Sequence, residues 1–131
     1  MDTATGADAV ILVMDRQDED GKLITSILEK AGFHVLHSST GAGAVELCRA
    51  ADEAVQLVIL DAATPGIQAS RLLARLREID PEIRVLLIAE GESAGWALPA
   101  NVKARLHRPF RRAQLLGSVL EAARRPLTRT A

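Results

Sequence analysis

The stretch ILVMDRQDED, residues 11–20, decides how the rest of the chain is read. Four apolar residues run without a break into Asp15, and Arg16 follows at once. With Val10 ahead of it, this is the pattern of a short strand buried on both faces, so Asp15 is delivered to the edge of a sheet with a fixed cation beside it. Val55 to Leu60 and Val85 to Ala89 have the same character. Between the runs the period changes. Leu23, Ile24, Ile27, Leu28 and Ala31 predict one helix face, ended by Gly32; Leu72, Leu73, Leu76 and Ile79 predict another, stopped by Asp80 and Pro81. Ala44, Val45 and Cys48 belong to a third helix, and Leu115, Leu116, Val119, Leu120 and Ala123 to one near the C-terminus, while Phe33 to Leu36 and Val102 to Leu106 are weaker strand candidates. Strands that alternate with helices imply an α/β fold, a parallel sheet with helices on both faces.

Bulk properties limit what this fold can do. A chain of 131 residues is one domain, with room for a substantial core. At 48% hydrophobic and 25% charged it does not have the composition of a disordered chain, and its apolar runs are far below the roughly 20 residues of a membrane span. Met1 to Asp8 lacks the basic start and apolar stretch of a signal peptide, and the single Cys48 permits no internal disulfide, so a cytoplasmic setting is expected. A net charge of -1, with two Phe, one Trp and no Tyr, argues against direct nucleic-acid binding. The expected organisation is an N-terminal tail over 1–8, one domain over 9–124, and a tail or the start of a linker over 125–131.

One segment breaks the rhythm. Glu90 to Pro99 carries two glycines and a proline where a helix belongs between the last two strands, which predicts a shortened or irregular helix there. Trp96 lies in this segment and is expected either to fill the gap or to serve a partner surface.

In sheets of this kind the chemistry lies outside the carboxyl ends of the strands. Asp15, Arg16, Asp61 and Arg108 all follow strand ends, and adjacent strands would bring the carboxylates into one crevice. The other polar residues point less clearly to chemistry. His34 and His37 fall on opposite faces of a strand, so metal binding is disfavoured and surface placement is expected. His107 borders the same edge as an incidental neighbour, and Cys48 fits the buried, unreactive face of its helix. A Gly-rich phosphate loop after the first strand, which a nucleotide-binding enzyme would need, is absent from the sequence.

From Val10 to about Arg124 the chain resembles the receiver domains of two-component response regulators. "ILVMD" is similar to the family's first strand with its acidic position, "LVILDAATPG" to the third strand with the phosphoacceptor aspartate, and "HRPF" to the fifth-strand motif in which a lysine precedes a cis proline. "LEKAGFHV" and "LREIDPEIRVLLIAE" resemble further segments. The resemblance implies a three-layer doubly wound sheet of five parallel strands in the order 2-1-3-4-5. It puts the acceptor at Asp61 and implies Mg²⁺ held by Asp15, Asp61 and the Ala63 carbonyl. Its implied partners are signalling proteins: a histidine kinase, an output domain or another regulator.

Several positions depart from the family pattern. Arg16 stands where a second acid is usual, Ala89 where a Thr or Ser is usual, Arg108 at the lysine position, and Arg105 at an aromatic position. Two carboxylates and two arginines sum to zero charge, so Arg16 is expected to replace the metal by pairing with Asp61, Asp15 or both; at 4 Å and a dielectric near 20 such a pair attracts by roughly 4 kcal/mol before desolvation. Alternatively Arg16 faces solvent and Asp18, Glu19 or Asp20 supplies a ligand. The first arrangement implies an atypical receiver, a protein-interaction module with weak or no Mg²⁺ binding and impaired phosphorylation. The second implies a conventional phosphoacceptor fed by a histidine kinase. Neither reading makes the chain an enzyme beyond self-catalysed phosphoryl acceptance and hydrolysis at Asp61.

Overall fold

The computed structural model describes residues 9–15, 19–50, 55–61, 69–89 and 100–123. Within them the order is β1 (Val10–Met14), α1 (Glu19–Lys30), β2 (His34–Ser38), α2 (Gly41–Ala50), β3 (Val55–Asp61), α3 (Ala69–Ile79), β4 (Val85–Ala89), β5 (Val102–His107) and α4 (Arg112–Ala123). The strands are parallel and lie in the order β2-β1-β3-β4-β5, the doubly wound arrangement expected. The expected irregular helix and Trp96 fall in 90–99, outside the described residues, as do the tails over 1–8 and 125–131.

Alternation along the strands divides the core into two layers. Ile11, Val13, Leu57, Ile59, Leu86, Ile88 and Leu106 face α1 and α4, where they meet Ile24, Ile27, Leu28, Leu115 and Val119. On the other face Leu12, Met14, Val58, Leu60, Val85 and Leu87 meet Ala44 and Val45 of α2 and Leu72, Leu73 and Leu76 of α3. Burying one such side chain contributes about 1.5–3 kcal/mol, which is why β1 and β4 are apolar throughout and β3 is apolar except for Gln56 and its terminal Asp61. The helix faces are narrower than the periodicity suggests. Leu23 is 56% and Leu120 59% exposed, because a helix lying on a sheet covers one stripe and these two residues fall at its margin.

The helix ends use local chemistry. Gly32, at φ 101°, closes α1: its N–H donates to Glu29 O and that of Phe33 to Leu28 O, a pairing that needs the left-handed conformation glycine adopts freely. Thr40 caps α2 by accepting the Gly43 N–H on Oγ1 at 3.0 Å. After α3, Asp80 Oδ1 accepts the Glu82 N–H at 3.0 Å, turning the chain toward β4.

Candidate functional site

Strand register brings the polar residues to one edge. Met14 lies opposite Ser38 on one side and Leu60 on the other, Asp61 opposite Ile88, and Ala89 opposite His107. Asp15 follows Met14 and is tied to β2 by its own N–H, which donates to Ser38 O; Arg108 follows β5 and donates its N–H to Ala89 O. Side-chain alternation then sorts the faces. Val13, Ile59 and Leu106 point toward α1 and α4, so Asp15, Asp61 and Arg108, each two residues further on, point the same way.

The two carboxylates are deeply buried, Asp15 at 2% and Asp61 at 4% exposure, and each engages a protein cation or donor. Arg108 grips Asp61 bidentately, Nη1 to Oδ1 at 3.3 Å and Nη2 to Oδ2 at 3.1 Å, in the fork geometry that a guanidinium offers and an ammonium does not. Its Cζ also lies 5.9 Å from the centroid of the Phe110 ring, within cation–π range. The Arg108–Pro109 peptide is cis. Ala89 is buried at the end of β4 and brings no hydroxyl to this edge.

Asp15 has a partner that sequence reasoning did not assign. His37 Nε2 lies 2.5 Å from Asp15 Oδ1, and with the acid ionised the ring N–H is the donor. His37 was expected at the surface. It is half-buried instead, because its register partner is Val13 and the two residues share the sheet face toward which Asp15 also turns. His34 and His37 lie on opposite faces of β2, and the neighbouring strand β1 decides what the His37 face holds. Gly21, in the first turn of α1, closes over the same carboxylate so tightly that a methyl group there would overlap it.

Arg16, Asp18 and Ala63 lie outside the described residues, as do the side chains of Glu19 and Asp20, and with them the expected pairing of Arg16 with Asp61, Asp15 or both and the alternative ligands; among the described residues Arg108 is a cation on Asp61. His107 and Arg105 are exposed on β5. Among the described residues no cluster of three or more His, Cys, Asp and Glu gathers around one point, and both carboxylates are held by basic side chains.

Fold and site together define a class. A parallel 2-1-3-4-5 sheet with a buried aspartate ending β3 and a basic residue before a cis proline after β5 is the framework of a phosphorelay receiver. Residues 11–120 match the family described as the response regulator receiver domain, and the chain belongs to that family. It is 33% identical over 78 residues to the response regulator receiver protein CpdR of Brucella abortus, covering 60% of this chain and 63% of that protein. It is 31% identical over 83 residues to the sporulation initiation phosphotransferase F of Bacillus subtilis, covering 63% of this chain and 65% of that one. The chain thus spans less than two thirds of these relatives. The crystal structure of a response regulator receiver protein from Sinorhizobium medicae superposes with a TM-score of 0.76 at 27% identity, covering 88% of this chain and 94% of that one. Among the described residues no helix is long and apolar enough to cross a membrane.

Proposed function

We propose that this receiver domain acts mainly as a protein-interaction module in cytoplasmic two-component signalling, with Mg²⁺ binding weak or absent and phosphorylation of Asp61 impaired. The observation that carries this reading is the bidentate Arg108–Asp61 pair, which directs a fixed, always-charged guanidinium at both oxygens of the acceptor carboxylate. To accept a phosphoryl group, Asp61 must give up at least one of these bonds while buried, and Ala89 offers the transferring group no hydroxyl. Arg16 follows Asp15 in the sequence as a further basic residue. Partners are other signalling proteins, a histidine kinase or output domain among them, with no direct contact to nucleic acid or membrane.

The competing reading, a conventional acceptor phosphorylated on Asp61 by a histidine kinase, draws support from the likeness to a sporulation phosphotransferase. Incubating the chain with acetyl phosphate and Mg²⁺ and following intact mass separates the two. The interaction-module reading expects little adduct. A near-stoichiometric phosphoryl adduct that is lost in Asp61→Asn establishes the conventional reading instead.

A further inference from the structure

α4 differs from the other helices at its C-terminal end. α1, α2 and α3 carry Lys30, Arg49 and Arg77 in their last turns, cations that complement the partial negative charge of the final carbonyls. Among the described residues, the last turn of α4 holds Glu121 and no basic residue; Arg124 and Arg125 come next in the sequence, outside the described residues. A cation arrives instead from the sheet. Arg84, just before β4, donates its Nε–H to Ala122 O at 2.5 Å, across 38 residues of sequence. That carbonyl is one of those at a helix end that find no partner within the helix, and Ala122 is itself fully buried.

The same half of the helix contains a weak point. Gly117 is exposed in the interior of α4, and a Cβ there would meet nothing within 4 Å, so neither packing nor a close approach calls for glycine. Glycine weakens a helix interior relative to alanine because it gives up more backbone freedom on folding. Beyond it α4 is covered along one stripe only: Val119 and Ala122 are buried, while Leu120 is 59% exposed.

We propose that residues 117–123 form a separately opening segment of α4 and that Arg84 is the clasp that holds it shut. With the clasp released, the segment leaves the sheet without unfolding β1, β3 or β4, and it uncovers Val119 and Ala122 beside the already exposed Leu120. The clasp thereby sets whether this end of the domain presents a closed helix or an apolar stripe. It lies at the start of β4, at the opposite end of the sheet from Asp61, so the device is independent of how the acceptor site is used.

The test is amide hydrogen exchange in increasing urea, on the full chain at one fixed pH. In the parent the amides of 120–123 are expected to exchange with a weak urea dependence, because local opening exposes little surface, while those of Ile11 in β1 and Ile59 in β3 follow the steep dependence of global unfolding. Arg84→Met should accelerate exchange at 120–123 about tenfold, the ratio for loss of one charge-assisted hydrogen bond, with the urea dependence still weak. Arg84→Gln, which keeps a neutral donor, should accelerate it a few-fold, and Gly117→Ala should slow it a few-fold. A urea dependence at 120–123 as steep as that of the strands overturns the separate segment, since α4 then opens only with the whole fold. Unchanged rates in Arg84→Met overturn the clasp, and exchange that Gly117→Ala does not slow overturns the boundary placed at Gly117. If Arg84→Met fails to fold, Arg84→Gln decides, because a parent-like rate at 120–123 refutes the proposal.

Discussion

Arg108→Met leaves the Asp61 carboxylate buried without its fork, and the cost can be worked from the geometry. Asp61 is 4% exposed, the guanidinium meets both its oxygens at 3.1 and 3.3 Å, and the arginine side chain is 15% exposed. Two unit charges about 4 Å apart at an effective dielectric of 20 attract by about 4 kcal/mol, and removing one partner of a buried pair costs about 3–5 kcal/mol because the other charge stays desolvated. The pair lies at the sheet edge, where water can reach the vacated space, so the lower part of that range applies. The expected loss is about 3–4 kcal/mol at neutral pH. Asp61→Asn removes the charge that needs compensation, so Arg108→Met in that background should cost under about 1 kcal/mol. Urea denaturation of the parent, both single variants and the double variant closes the cycle. Additivity within about 0.5 kcal/mol would show that the pair contributes no net coupling, and the reasoning that places Asp61 under arginine control would then be wrong.

Two further outcomes concern Gly21 and Cys48. Gly21→Ala puts a methyl group into the Asp15 carboxylate, and should destabilise the fold by about 1–3 kcal/mol and broaden the His37 ring resonances; a parent-like midpoint in denaturant would mean that the carboxylate moves aside freely. Burial, with a smaller contribution from the Asp80 charge, pushes the Cys48 thiol from 9.0 up to about 11. The folded chain thus holds this proton more tightly than the unfolded one, so the contribution to stability is intact below pH 9 and is lost as pH rises toward 11. The parent should lose more stability than Cys48→Ala across that window, and equal losses in the two would contradict the assigned environment.

The strand runs at Val10 to Met14, Val55 to Leu60 and Val85 to Ala89, the stop at Gly32 and the strand-end positions of Asp15, Asp61 and Arg108 were all legible in the sequence. Each depends on the period of a short segment or on the backbone freedom of one residue, and such properties are local. The strand order came from the family resemblance, which the sheet matches. Leu23 and Leu120 show where period alone falls short, since apolar spacing marks a helix face without saying how wide a stripe its sheet will cover. The site divided in the same way. Sequence placed the acids and the arginine at one edge, whereas only the tertiary structure paired Arg108 with both oxygens of Asp61 and His37 with Asp15. Those pairings depend on which strands are neighbours and in what register. Burial of two apolar sheet faces sets that register, bringing together residues 47 and 22 positions apart whose spacing in the chain carries no sign of contact.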